Sequence, residues 1–421
     1  MEIPEFPLRS PQALLYHDLA EYPMLYLPFF DELLLLLPVS LEIWQALDGH
    51  HNLEQITAIV RAKFEDAPPT MQDDILSFLG ELKRRGFLDD TSLFLENAPA
   101  LQEITYPPVQ PDAFATALSL ADGFCFYIIA CDVEAVQVLR QFARAAQLEE
   151  NPPQSGSETL LILATEGNHV LATPSDAPRL VLQSQQAYLN APPSRFEVLR
   201  KIPPSPRTET AWIWSQLVRV SAFIGQQCQS RGGLLLHSAL AALDGQGVLL
   251  AGRSGVGKST ASGRLNSPWQ SLCDDITLVV RDASGQFWAH PWPTWSNFYG
   301  DKRYDNHRRH WNTKQAVPLK AIFLLEQATQ DAVRPSSQAE ALLSLLELAR
   351  QASRYLWRHG STNLAALVPY QQQRFENTCG LLGAIPSYLL DVTLTGQFWH
   401  EMEKALYNPK SQVSSQALSI Y

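Results

Sequence analysis

The 421 residues carry 18% charged and 46% apolar side chains and a net charge of −11. That balance is globular rather than disordered, is too long for one ordinary core, and argues against a general nucleic-acid or anionic-membrane surface. Five cysteines (Cys125, Cys131, Cys228, Cys273 and Cys379) are scattered without CxxC spacing, which fits free thiols in a reducing cytosol better than a disulfide framework or a zinc site.

Residues 1–95 read as one small domain. Its greasiest run, LPFFDELLLLLP, is too short to span a membrane and carries Asp31 and Glu32, so it reads as a buried strand. Three helical patterns follow. The first, VSLEIWQALDG, can use Ser40 as N-cap, repeats Leu41, Trp44 and Leu47 on one face and stops at Gly49. In the second, Asn52 and Gln55 have capping-box spacing, and Ile56, Ile59, Val60 and Phe64 form the apolar stripe. The third begins near Thr70, carries Ile75, Phe78, Leu79 and Leu82, and ends at Gly86. Strands with three short helices in this order predict a winged helix.

Residues 96–205 have α/β character and no evident chemistry. FCFYIIAC, TLLILAT and PRLVLQ are expected strands, and VEAVQVLRQFARAAQ an amphipathic helix. ENPPQSGSE and NAPPSRFEVLRKIPPSPRTE are Pro/Ser-rich breaks, the second a linker into the last segment, 206–421. There a helix, TAWIWSQLVRVSAFIGQQCQSR, precedes strand–loop–helix units, and FWHEMEKAL is a closing helix.

The chemistry gathers in that segment. LLAGRSGVGKST, residues 249–260, places Gly252, Gly257, Lys258 and Ser259 in the G-x-x-x-x-G-K-[ST] pattern. Glycines let successive backbone N–H groups turn onto phosphate oxygens, where a side chain would block approach. The following helix N-terminus adds partial positive charge. Lys258 reaches the β- and γ-phosphates and the Ser259 hydroxyl ligates Mg²⁺. A chance Gly-rich turn is the competing reading, but the apolar strand GVLLA runs into the motif and KSTASGRL continues as a helix.

LCDDITLVV returns Asp274 and Asp275 only one helix and one turn after Lys258. Two adjacent carboxylates can divide the work, one anchoring the metal and the other accepting a proton from the attacking hydroxyl. Water would need the same base, so the pair does not separate kinase from hydrolase. Upstream, His237 closes the strand GGLLLH, which is expected to pair beside the loop strand. It either bonds a catalytic aspartate or a phosphate, or is a core histidine satisfied by backbone. Trp288, Trp292 and Trp295, set among prolines, read equally as an aromatic rim or as packed turns. Lys302, Arg303, Arg308, Arg309 and Lys314 form a basic loop that is either a lid on phosphates or a solvated loop.

LLLHSALA, LLAGRSGVGKST and LCDDITLVV together resemble the catalytic domain of the HPr kinase-like family, and PLKAIFLLEQ matches the later strand of HPr-kinase-related proteins. The resemblance covers roughly residues 210–400 and implies a phosphate-loop fold related to phosphoenolpyruvate carboxykinase. It implies a nucleotide loop of Gly252, Ser254, Gly255, Val256, Gly257, Lys258, Ser259 and Thr260, Asp274 as catalytic base, Asp275 as partner of the metal (with Ser259) or of the lysine, and His237 as a pocket residue beside them, with the two aspartates open to exchange of roles. Where the founding kinases carry a Glu-Ile-Arg-Gly segment this chain has GQFWAHPWPTWSNF, which puts a carrier-protein substrate in doubt.

The first domain is similar to PqqD-type domains, on LEIWQALDGHHNLEQITAIVRAKF and DDILSFLGELKRRGFL. These are recognition elements of ribosomal, post-translationally modified peptide systems, in which a precursor's leader adds a strand to the sheet edge. The resemblance implies a groove between the strand around Leu33–Leu37 and the helix carrying Ile75, Phe78 and Leu82. DNA binding is the alternative for a winged helix, but the candidate recognition helix begins MQDDIL, and aspartates repel phosphates. As a whole the chain resembles HPr-kinase-related proteins of SynChlorMet-like peptide-modification cassettes.

The resemblances imply an α/β, cytoplasmic, ATP- and Mg²⁺-dependent phosphotransferase acting on a Ser/Thr hydroxyl of a ribosomal precursor peptide held by residues 1–95. Alternatives are a small-molecule kinase or NTPase, and a non-catalytic nucleotide-binding scaffold in a peptide-maturation complex. Other peptide-modifying enzymes and further copies of the chain are compatible partners; nucleic acid and membranes are not.

Overall fold

A computed structural model describes residues 3–17, 21–64, 68–89, 114–156, 158–165, 177–183, 206–293, 311–353 and 364–407. The chain forms two compact units. One comprises Met1–Ala100, Ser337–Leu343 and Ser361–Cys379; the other comprises Leu101–Ser336, Ser344–Gly360 and Gly380–Tyr421.

The first unit begins with an antiparallel meander of β1 (Leu14–Tyr16), β2 (Met24–Leu27) and β3 (Glu32–Leu35), followed by α1 (Pro38–Ala46), α2 (Leu53–Lys63) and α3 (Met71–Arg84). Ser40 does not cap α1. Pro38 opens the helix after an extended Leu37, since proline has no N–H to leave unsatisfied there. The helix also stops at Ala46, short of Gly49. The capping box on α2 forms as the spacing predicts: Asn52 Oδ1 accepts from Gln55 N at 3.0 Å and Gln55 Oε1 accepts from Asn52 N at 2.9 Å. Ile56, Val60, Ile75, Leu79 and Leu82 are buried with Ile43, Trp44 and Leu47, while Ile59, Phe64 and Phe78 pack at the margin. Gly86 ends the α3 turn at φ +81°, where a Cβ would lie 2.5 Å from the Phe30 ring, so no other residue fits.

The Ser361–Cys379 segment completes this unit. Phe375 stacks on Tyr26 at 4.2 Å between centroids and lies 4.8 Å from Tyr16. The Tyr26 hydroxyl lies within hydrogen-bond distance of Asp31 Oδ1 at 2.8 Å and Gln371 O at 3.0 Å, and Arg374 pairs with the buried Asp31.

The second unit opens with β4 (Phe114–Ser119), β5 (Cys125–Ala130), α4 (Val133–Ala145), β6 (Thr159–Thr165) and β7 (Arg179–Leu182) in sheet order β4-β5-β6-β7. β5, β6 and β7 run parallel, with α4 as the crossover between β5 and β6. Asp132 caps α4 through Ala135 N at 2.9 Å and also accepts from Thr165 N and Oγ1. Helix α5 (Pro206–Gln229) follows. Its Trp212, Leu217, Val220 and Ile224 share one core with this sheet, and with Leu235, Leu278, Val280 and Trp292 of the strands beyond.

Those strands are β8 (Leu234–Leu236), β9 (Ala239–Leu243), β10 (Gln246–Ala251), β11 (Gln270–Cys273), β12 (Ile276–Arg281), β13 (Phe287–Trp292), β14 (Val317–Gln327), β15 (Ala332–Pro335) and β16 (Ser387–Val392). Helix α6 (Lys258–Arg264) joins β10 to β11; α7 (Gln338–Ser353), α8 (Leu364–Ala384) and α9 (Trp399–Tyr407) lie later in the chain. The order is β11-β9-β10-β14-β13-β12-β8, with β16 also on β14 and β15 on β16. β10 and β11 are both antiparallel to β9, so they run in the same direction; β14 and β16 run with them. Four strands therefore end on one side of the sheet, and β9 starts there.

Two expectations change. The strand ending before His237 pairs with β12, and the strand beside the loop strand is β9, which starts after His237. Trp288 and Trp292 lie in β13 rather than on a rim: Trp292 is fully buried against Phe142, and Trp288 Nε1 donates to Asp282 at 2.8 Å. Trp295 and the basic positions 302–309 lie outside the described residues, and Lys314 is exposed. Among the described residues no helix is long and apolar enough to cross a membrane.

Candidate active site

The carboxyl ends of co-directional strands are where α/β sheets place ligands, because the following loops diverge there and leave backbone N–H groups exposed. Here β10 runs into the glycine-rich loop, β11 into Asp274 and Asp275, and β14 into Gln327, while His237 lies two residues before the start of β9. Residues spread from 237 to 327 in sequence thus come to one end of the sheet.

Within the loop, Gly252, Gly255 and Gly257 adopt φ of +150°, +83° and +107°. At Gly252 a Cβ would also meet Val256 Cγ1 at 3.0 Å and Leu325 O at 3.2 Å, so the loop can lie against β14 only without a side chain there. Ser254, Gly255, Ser259 and Thr260 are exposed. Val256 packs its side chain into the sheet core, leaving its backbone to the loop. Gln327 Nε2 donates to Val256 O at 3.3 Å, propping the loop from the end of β14.

Lys258 is 5% exposed, and its Nζ folds back to donate to Gly252 O at 2.9 Å and Arg253 O at 3.3 Å. Burial pushes its pKa down, and the nearby Asp275 carboxylate opposes that shift. A cation with only loop carbonyls as hydrogen-bond acceptors gains charge-assisted bonds when an anionic ligand enters.

The Asp274–Asp275 turn is fixed from both sides. Thr277 Oγ1, fully buried, donates to Ser238 O at 3.0 Å, tying the turn to the β8–β9 junction. The Ser259 hydroxyl approaches Asp274 O at 3.3 Å, linking the turn to α6. His237 Nε2 lies 2.7 Å from Asp275 Oδ1, and its Nδ1 lies 2.7 Å from Gln351 Oε1. Of the two readings of His237, this is the aspartate-bonded one. Cys273, immediately before the turn, is buried and its thiol is pushed up to about 11, which suits a packing role and not a nucleophile.

Lys258, Ser259, Asp274, Asp275 and His237 are therefore brought together as their spacing predicts. Gln327 and Gln351 were not legible as neighbours, since each lies far along the chain in an ordinary strand or helix pattern. In the first unit, Ile75 and Leu82 are buried in the core, and Phe30, Leu37 at 57% and Leu76 at 43% are exposed apolar side chains near the β3 strand and the α3 helix in sequence.

None of the curated proteins matches the chain. Residues 31–88 match the family model of coenzyme PQQ synthesis protein D (PqqD), and residues 202–407 match that of SynChlorMet cassette protein ScmC. The chain carries a PqqD domain at its N-terminus and a ScmC cassette domain in its C-terminal half, and together these point to a role in peptide modification.

Proposed function

We propose that the protein is an ATP-dependent kinase that phosphorylates a Ser or Thr hydroxyl on a ribosomal precursor peptide whose leader is held by the PqqD domain. The observation that carries this reading is the meeting of Lys258 and Ser259 with the Asp274–Asp275 turn and His237 at one end of the sheet. The backbone of residues 252–257 cradles the phosphates and Lys258 neutralises their charge. Asp274 accepts the proton of the incoming hydroxyl, and Asp275, oriented by His237, stays ionised beside Lys258.

Mg²⁺ fits this donor set. It binds through one or two protein oxygens plus substrate phosphates, and Ser259 with Asp275 offers such a pair, whereas no group of three His, Cys, Asp or Glu among the described residues forms a self-sufficient metal cage. When bound, Mg²⁺ would neutralise charge on the transferring phosphoryl group. Gly255 and Gly257 have nothing within 4 Å of an added Cβ, so each leaves open space over the loop where phosphates would lie.

The test combines mass spectrometry and kinetics. Incubation with ATP, Mg²⁺ and a precursor peptide encoded beside the gene is expected to add one phosphate, about 80 Da. Leu37→Asp or Leu76→Asp should raise the peptide KM about tenfold or more while ATP binding stays unchanged, as expected when an exposed apolar contact is lost from a peptide groove. A kinase acting on a small molecule would not respond to either substitution. Point changes are preferable to removing residues 1–95, because Phe375 and Arg374 are packed in that unit and truncation would strip their cover.

A further inference from the structure

We infer that Gln351 is a positioning residue that sets the orientation of the Asp275 carboxylate through His237. Its functional consequence rests on the kinase reading above; its geometry does not. An imidazole with one ring nitrogen on a carboxylate can still rotate or flip unless the other nitrogen is held. His237 Nδ1 is held by Gln351 Oε1 at 2.7 Å, and Nε2 faces Asp275 Oδ1 at 2.7 Å.

Gln351 is itself pinned. Its Nε2 donates to Glu347 Oε1 at 2.9 Å, one turn earlier on α7, which fixes which end of the amide faces the ring. The same helix holds the histidine backbone, since His237 N donates to Leu348 O at 3.2 Å. Helix α7 thus grips His237 at main chain and side chain from positions 348 and 351. Both His237 and Asp275 keep only about a fifth of their side-chain surface exposed (20% and 23%), so water competes weakly for these bonds. A chain of Glu347, Gln351, His237 and Asp275 is the arrangement in which a third group orients the partner of a functional carboxylate.

The experiment uses the full chain with Gln351→Leu, which keeps the side-chain bulk but removes the acceptor, and Gln351→Glu made together with Glu347→Gln, which keeps an acceptor toward His237 and a donor–acceptor pair between positions 347 and 351. NMR of ¹⁵N-histidine-labelled protein, with the His237 signal assigned by its loss in His237→Gln, is expected to show an exchange-protected Nδ1 proton in the wild type and in the double variant but not in Gln351→Leu. Kinetically, Gln351→Leu should lower kcat by about tenfold to a hundredfold, the range for a small misplacement of a reacting group. ATP binding and peptide KM should change less than about twofold, and the double variant should recover most of the rate.

A protected Nδ1 proton that persists in Gln351→Leu overturns the inference. So does an equal loss of rate in Gln351→Leu and the double variant, which would mark Gln351 as a structural tie only. Should the wild type transfer no phosphate to any peptide or nucleophile, the kinase reading falls, and the NMR comparison alone then decides whether Gln351 orients His237.

Discussion

Replacing Arg374 with Met should loosen the PqqD domain, although the residue lies 343 positions along the chain from its partner. Arg374 and Asp31 form an ion pair with side chains only 7% and 9% exposed. Asp31 is also within hydrogen-bond distance of the Tyr26 hydroxyl at 2.8 Å and sits at φ +55° in the turn between β2 and β3. Removing the guanidinium takes the charged partner from a buried carboxylate, and breaking a buried pair from one side costs about 3–5 kcal/mol. Against a typical domain stability of about 5–15 kcal/mol, that is a large share. Asp31→Asn alone breaks the pair from the other side. The double variant removes both charges while the Asn amide still accepts from Tyr26 and tolerates positive φ, so its cost should fall within about 1–2 kcal/mol of the wild type. A chain of two units does not unfold in one step, so hydrogen exchange of peptides from β2, β3 and α2 is the proper assay. Arg374→Met should speed exchange by about a hundredfold to a few thousandfold, and the double variant by far less, at about 1.4 kcal/mol per tenfold. Strict additivity of the two single changes, or exchange within twofold of wild type in Arg374→Met, would refute the coupling.

Lys258→Ala should abolish the thermal stabilisation given by Mg²⁺ and ATP, which for a binding-competent protein at a hundredfold excess over Kd is worth about 2.7 kcal/mol; a scan with and without nucleotide checks it. Asp274→Asn should retain that stabilisation while transfer falls by about 10²–10⁴, the usual worth of a general base; near-full transfer in this variant would move the base to Asp275. Burial lowers the folded-state pKa of Lys258 below its ordinary 10.5, so between the two values the unfolded chain holds the proton more tightly and stability rises with pH. Denaturant titrations of nucleotide-free protein at rising pH up to 10.5 should show that rise diminished in Lys258→Met.

Local signals were legible in the sequence wherever the cause is local. The α2 capping box needs only Asn52 and Gln55, and the strand–loop–helix turn at 249–260 needs only its glycines and the flanking strand and helix. Ser40 misled because Pro38, two residues earlier, is the stronger helix opener. Trp288 and Trp292 misled because the Trp-Pro run hid a strand whose alternate faces are core. The strand β4 went unread because FATALS carries small and polar residues that match no strong period. Long-range partners were illegible in principle. Nothing near Asp31 announces Arg374, and nothing near His237 announces Gln351, because neither pair leaves a pattern in the intervening chain.

A glycine-rich loop of this pattern is shared by motors, switches and kinases, so what distinguishes one chain from another has to come from what the rest of the sheet delivers to it. That delivery is set by β9. β9 lies between β10 and β11 and is antiparallel to both, so those two run the same way, and α6, seven residues long, carries the chain over β9 from one to the other. β11 then ends one strand away from β10, and the two aspartates that follow it emerge at the end of the sheet where the glycine-rich loop lies. The residues before β9 must lie at the same end, which is why His237 reaches Asp275. The compact spacing of Lys258 and the aspartate pair is thus a consequence of that short crossover, and it sets two carboxylates, a histidine and a buried lysine at one end of the sheet.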